Sequence, residues 1–351
     1  MKNRLFFQAL MSALLFGIAT PFSKTLLNRL QTNQLAGLLY LGAAVCLLPF
    51  VLRRRLSGKM VFPRDGRNFR NLLGAILFGG MIGPVLLLVG LKHTLAASVS
   101  MWLNLEAVAT AVLAVLLFRE HLGWWTWLGN AGVVVAGLLL NYGQGWAGWL
   151  GLVCVAGAGL AWGLDNNFTA VIDGISPEDS TFWKGLVAGA TNLVIGLTLF
   201  DWQVGADWAW AILLGGLSYG ASIVLYIRAS HGLGATRTQM IFAAAPFFGV
   251  LGSILWLGEG LSVLQSIAAI VLAGSIAVIF LDRHAHAHEH ERVGHEHEHR
   301  HDDGHHKHSH DDRAMGVAHA HVHEHMPVVH SHHHWPDLHH RHHGAKGGWM
   351  R

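Results

Sequence analysis

The sequence is poor in charge and in cysteine, and it lacks any motif that would mark an ATP-driven or catalytic machine. Only 13% of its 351 residues are charged and 52% are hydrophobic, against about 25% charged in an ordinary soluble domain. So little charge cannot clothe a water-exposed surface of this size. The two cysteines, Cys46 and Cys154, lie far apart in apolar stretches, which excludes a disulfide framework and a thiolate metal site and leaves both as small buried residues. No Gly-rich phosphate loop ending in Lys-Ser or Lys-Thr occurs, so ATP hydrolysis is not expected to drive the protein. No nucleophile–base set stands out, and the chain is not expected to be an enzyme. The net charge of +3 is no sign of nucleic acid as a partner, because the basic residues gather in one loop between apolar runs.

Long apolar runs are what the sequence does have. A helix crossing a ~30 Å hydrocarbon core needs about 20 mainly apolar residues, since unpaired backbone groups in lipid cost several kcal/mol each. Ten such runs lie near residues 5–23, 34–52, 71–91, 95–118, 124–142, 148–170, 181–200, 208–227, 236–257 and 261–281. The expected fold is therefore an all-α integral membrane protein of ten transmembrane helices, with the lipid bilayer as its solvent. The first run follows Lys2 and Arg4 but is too long for a cleaved leader and lacks a small-residue cleavage pattern. Arg53, Arg54, Arg55, Lys59, Arg64, Arg67 and Arg70 face a lone Asp65 in the loop after the second run. Such a loop stays on the cytoplasmic side, so with an even number of spans both termini are expected in the cytoplasm and the protein in the cell membrane. Trp124, Trp125, Trp127, Trp146, Trp149, Trp202, Trp208 and Trp210 fall at span ends, where indole rings favour the headgroup layer.

The first five runs align weakly on the second five. At an offset of 139 residues Leu95-Ala96-Ala97 falls on Gly234-Ala235-Thr236, Glu106-Ala107 on Ala245-Pro246, and Glu120 on Glu259; nearby, Phe16-Gly17 matches Trp162-Gly163. An odd number of spans per copy inverts one copy relative to the other, the arrangement that permits alternating access to a site near the midplane. The organisation expected is a repeat at 1–142, a second repeat at 143–281 and a tail at 282–351.

Phe16-Gly17 with Lys24, and Asn104-Leu105-Glu106 leading an apolar helix that ends in Arg119-Glu120-His121-Leu122, together with Ala245-Pro246 through Leu257-Gly258-Glu259, resemble the EamA-type proteins of the drug/metabolite transporter superfamily. The resemblance covers residues 1–281. It departs from the family's acid–proline pair: the first copy keeps the acid without the proline, the second the proline without the acid. The resemblance implies a secondary transporter of amino acids, metabolites or drug-like solutes. No cofactor is implied, and efflux is the expected direction. It also implies a central cavity lined by the first, third, fourth, sixth, eighth and ninth helices, with Lys24 near its mouth and Tyr219, Tyr226 and Gln239 around it. A homodimer is a further expectation for assembly.

Glu106 is the most telling residue. An acid near the middle of a span costs ~2.5–3.5 kcal/mol or more unless it faces protein or a water-filled path. It reads as a proton-coupling group, as a counter-charge for a substrate amine, or as a hydrogen-bonded packing acid. Trp102 shares its helix face, four residues away, whereas Asn104, two away, points elsewhere. Asp165, Asn166 and Asn167 either face the cavity or mark an early end of the sixth span. Lys24 reads equally as an interfacial cation whose stem lies along apolar surface. Glu120 and Glu259 read as structural loop residues, and His93 and His231 as interfacial ones. Gly79-Gly80, Gly83-Pro84 and Gly215-Gly216 interrupt the third and eighth spans, where close packing and bending are the ordinary uses.

All but three of the 27 histidines, His93, His121 and His231, lie in the tail. With no apolar periodicity, this segment is expected to be disordered. His284, His286, His288, His290, His295, His297, His299, His301, His305, His306, His308 and His310, interleaved with acids, are candidate ligands for Zn²⁺, Ni²⁺, Co²⁺ or Cu²⁺, because neutral imidazole suits these ions. A divalent-metal exporter fed by this tail is the alternative reading, although the spans lack the paired histidines and carboxylates such a path requires.

Overall fold

In this computed structural model the described residues are 2–59, 61–118, 122–142, 145–170, 172, 175–202, 204–233, 238, 241–279 and 281. In the tail the backbone of 284–290, 293–299, 319–325 and 328–334 is also described. The body is helical throughout. Its helices are α1 (Lys2–Gly17), α2 (Ala19–Leu26), α3 (Thr32–Leu56), α4 (Gly66–Ala75), α5 (Gly83–His93), α6 (Ala96–Trp102), α7 (Leu105–Phe118) and α8 (Trp124–Asn141). They continue as α9 (Gly145–Ala170), α10 (Pro177–Leu199), α11 (Ala206–Gly215), α12 (Ser222–Leu233), α13 (Ala245–Leu257) and α14 (Val263–Ile279). Several of these join end to end, α4 to α5 through a π-helical segment at Ile76–Ile82 and α11 to α12 through another at Gly216–Ala221.

Among the described residues seven segments are long and apolar enough to cross a bilayer: Arg4–Leu26, Thr32–Leu56, Gly66–His93, Ala96–Leu113, Gly145–Thr169, Pro177–Leu199 and Ala206–Ala229. Ala245–Leu257 and Val263–Ile279 are apolar but shorter. The third span is longer than the sequence pattern indicated. It starts at Gly66 because Asp65, just before it, accepts from the Asn68 backbone N–H at 2.8 Å, the usual N-cap bond. That bond and the Asn68 side-chain amide hold the Asp65 carboxyl below the ordinary range. The fourth apolar run is not one continuous helix. It breaks after Trp102, and Leu103 and Asn104 form a turn before α7 begins.

Large side chains on the outer faces, such as Leu255, Ile270 and Val263, are exposed, which is the pattern of helices solvated by lipid. Exposed Trp124, Trp146 and Trp202 stand at or beside helix ends, where anchoring indoles belong. The core is built from small and branched residues on the inner faces, with Trp102 its largest fully buried side chain.

Interruptions recur at the same spacing along the two halves. The π segments at Ile76–Ile82 and Gly216–Ala221 correspond, and so do the breaks before α7 and α13. The first π segment has a local cause. Pro84 has no N–H to offer the Gly80 carbonyl four residues earlier, and that carbonyl instead accepts from Asn192 Nδ2 at 3.1 Å. The Gly79 carbonyl is taken by Tyr40 Oη at 2.6 Å and Trp162 Nε1 at 2.9 Å. Irregular backbone is tolerated at membrane depth where protein donors replace the missing intrahelical ones.

The tail's described backbone forms β1 (His284–His290), β2 (Val293–His299), β3 (His319–His325) and β4 (Val328–His334), with β1 antiparallel to β4 and β2 antiparallel to β3. Strict alternation of histidine with a small or acidic residue has period two, which is also the period of a strand.

Candidate functional site

A polar cluster sits where α7, α9, α10 and the first π segment meet. Glu106 lies in the first turn of α7, a position created by the break at Leu103–Asn104 and favourable for an anion because the helix start carries partial positive charge. Its carboxylate accepts from Asn166 Nδ2 at 2.9 Å, and the same amide reaches Thr110 Oγ1 at 3.2 Å. Asp165, the next residue on α9, is nearly fully buried. It binds Lys184 of α10 through both oxygens at 2.6 and 2.8 Å and accepts from Thr169 Oγ1 at 2.9 Å. A Cβ on Gly79 would run into the Asp165 carboxylate. Only glycine lets the π segment come this close.

Among the described residues the ion pairs are Arg29–Asp207, Arg54–Asp179 and Lys184–Asp165. Glu106 belongs to none of them. Asp165 is ion-paired with Lys184, whereas the Glu106 carboxyl is in no ion pair and accepts from the Asn166 amide.

Aromatic rings flank the cluster. Tyr219, on the second π segment, packs on Tyr40 at 5.6 Å and on Phe16 at 5.9 Å, and Phe242 bridges Phe16 and Tyr226 at 5.4 and 5.3 Å. Tyr40 touches the cluster through its bond to the Gly79 carbonyl, beside the Asp165 carboxylate.

The remaining sequence candidates divide. Asn167 donates to the Gly163 carbonyl of its own helix at 2.7 Å, and the Asp165–Asn167 stretch lies inside α9 rather than capping it. Trp102 is fully buried and donates to the Gly137 carbonyl of α8 at 3.0 Å. Asn104 donates to the Met101 carbonyl at 3.2 Å and so serves the break itself. Lys24 donates to the Leu91, Lys92 and Thr94 carbonyls, a C-terminal cap for α5, which is a packing use. Gln239 lies outside the described residues. So do the side chains of His284, His286, His288, His290, His295, His297 and His299, and His301, His305, His306, His308 and His310 altogether. Among the described residues no group of three or more His, Cys, Asp or Glu is placed to hold a metal.

Sequence reasoning missed Lys184, Tyr40, Thr110 and the role of Asn192. Lys184 carried a usable signal, being a lone cation just inside an apolar run, where unpaired charge is costly. Tyr40 and Asn192 carried none, since their importance depends on carbonyls freed on another helix. A surface cleft of about 490 Å³ bordered by Leu139, Tyr142, Ser262 and Gln265 contains none of the residues of the Glu106 cluster.

The EamA-like transporter family matches residues 4–142 and again residues 149–281, and the chain belongs to that family. An uncharacterized transporter of Methanothermobacter thermautotrophicus is 25% identical over 291 residues, 77% of this chain and 84% of the relative. A solved crystal structure superimposes with a TM-score of 0.58 at 16% identity, covering 80% of this chain and 98% of the other. At that identity the likeness speaks for the fold alone.

Proposed function

We propose that the protein is a secondary transporter for small organic solutes bearing a protonated amine, working by alternating access between two inverted five-helix repeats. The observation that carries this reading is the unmatched Glu106 carboxylate. Lys184 is committed to Asp165, Glu106 forms no ion pair among the described residues, and Tyr40, which bonds the Gly79 carbonyl at the cluster's edge, packs on Tyr219. An ammonium group satisfies the carboxylate, and aromatic faces attract the same cation. The matching π segments and breaks, and a family match that occurs twice along the chain, support the repeat. With the Arg53–Arg70 loop in the cytoplasm, both termini lie there too, and the Glu259 end of the molecule faces outward.

The tail is proposed to bind Zn²⁺, Ni²⁺, Co²⁺ or Cu²⁺ weakly at the mouth of the path, on the strength of its alternating histidines.

Thermal unfolding of the purified protein with primary and quaternary amines, carboxylic acids and divalent metals tests the reading. A ligand that binds the folded state stabilises it by about 2.7 kcal/mol at a hundredfold excess over Kd. Amines are expected to stabilise the full chain and the chain cut after Leu281 alike, and to lose this effect in Glu106→Gln. Stabilisation by metals alone, surviving removal of the tail, would contradict it.

A further inference from the structure

The connection between α3 and α4 carries a charge that the rest of the protein does not answer. Arg53, Arg54 and Arg55 form the last turn of α3, and Lys59, Arg64, Arg67 and Arg70 follow along the chain into α4. Arg54 is ion-paired: its Nε donates to Asp179 at the start of α10, 2.8 Å away. Arg53, Arg55, Lys59, Arg64, Arg67 and Arg70 are exposed and have no ion-pair partner among the described residues. Of the acids at this end, Asp65 caps α4 through Asn68, Asp179 holds Arg54, and Glu178 lies in the first turn of α10, a place that favours an anion. They leave most of the positive charge unmatched. Helix stability explains the arginines that close α3, but it does not explain Arg67, because the start of a helix disfavours a cation.

The segment is also held in place. Trp183 of α10 donates from Nε1 to the Val61 carbonyl at 2.7 Å, and Phe62 packs on the Trp183 ring at 5.1 Å and on Phe69 of α4 at 6.0 Å. Interleaved with the cations are exposed apolar side chains: Leu56 is 89% exposed, Phe69 45% and Phe62 39%. Water is a poor solvent for this mixture. The boundary of a bilayer suits both parts, because cations meet lipid phosphates there while apolar side chains and arginine stems enter the acyl layer.

We infer that the α3–α4 connection is a binding surface for anionic phospholipid, with its unpaired cations on the phosphate groups and Leu56, Phe62 and Phe69 at the acyl boundary. Clusters of about four to eight Lys or Arg beside a membrane helix select acidic headgroups. Here the Arg54–Asp179 pair and the Trp183 bond fix the cluster against α10, so the selection is tied to one place on the protein. The apolar side chains favour a lipid over a soluble anion. With this connection in the cytoplasm, as proposed above, the surface meets the leaflet whose surface potential is negative. The inference uses neither Glu106 nor alternating access.

Spin-labelled phosphatidylglycerol and spin-labelled phosphatidylcholine, each added to proteoliposomes of phosphatidylcholine containing the full chain, report the lipid preference through the motionally restricted fraction of the label. The parent chain is expected to bind phosphatidylglycerol at least threefold more strongly. Arg53→Gln with Arg55→Gln is expected to remove at least half of that preference, Arg54 being left in place so that the segment stays pinned. Arg29→Gln with Lys92→Gln makes the same change in net charge at the other end of the helices and is expected to leave the preference unchanged. Absence of any preference in the parent, or an equal fall in both double variants, overturns the site, the second result meaning diffuse attraction by net charge. Sodium phosphate, compared with sodium chloride at equal ionic strength, is expected to displace no additional lipid. Displacement by phosphate beyond the salt effect would assign the surface to soluble anions and contradict the proposal. Solute flux is not read in this test, so its failure leaves the transport reading standing, and the failure of that reading leaves the lipid site standing.

Discussion

Asp165 and Asn166 are neighbours on α9, yet their partners divide the work of the site. Asp165 is committed to Lys184 and Thr169, while Asn166 holds Glu106 in place without neutralising it. Breaking the first pair is therefore a stability event. Gly79→Ala drives a methyl into the Asp165 carboxylate, and overpacking of this kind costs about 1–3 kcal/mol. A lowered midpoint in detergent unfolding is expected, and an unchanged midpoint would mean the π segment can retreat. Tyr40→Phe removes one of the two donors on the Gly79 carbonyl while Trp162 keeps the other. Its cost should be smaller, about 0.5–1.5 kcal/mol, as for hydrogen bonds between membrane helices. Glu106 itself was legible in the sequence because an acid in an apolar run needs an explanation. Its lack of an ion pair was not, since that depends on which of two nearby carboxylates Lys184 chooses.

At the scale of elements, the apolar runs announced the rods, and their Gly and Pro interruptions announced the places where the rods deviate. The form of the deviation was not readable. Gly79-Gly80 and Gly83-Pro84 become a π segment because Tyr40, Trp162 and Asn192 come from three other helices to take up freed carbonyls. A residue pattern along one helix carries no record of donors on its neighbours. Asn192→Leu tests this dependence. It leaves the Gly80 carbonyl with no side-chain donor from α10, a loss worth about 1–3 kcal/mol for a buried polar group. Lower thermal stability with little change in helix content by circular dichroism is the expected result, and full stability would show that the segment re-pairs by itself. Lys24 gives the opposite lesson. The family resemblance implied a place near a cavity mouth and the residue type an interfacial cation; what the fold adds is that its ammonium caps α5, donating to three helix-terminal carbonyls.

For the whole molecule, body and tail obey different chemistry. The body is organised by lipid outside and by small residues and a few polar ties inside. The tail has no long apolar run, and its described backbone pairs as strands at the period of its histidines. Equilibrium dialysis against Ni²⁺ or Zn²⁺ should show several metal ions bound by the full chain and none by the chain cut after Leu281, with solute binding preserved. Retained metal binding after the cut would move the metal chemistry into the body.

The central claim is that Glu106 is the counter-charge of a transported amine. Its most direct test is uptake of radiolabelled amines into proteoliposomes by the parent chain, Glu106→Gln and Glu106→Asp. Saturable uptake that is abolished in Glu106→Gln and partly kept in Glu106→Asp is the predicted result. Uptake that Glu106→Gln leaves unchanged would contradict the account, because the amide keeps an accepting oxygen but not the negative charge that is held to bind the cation.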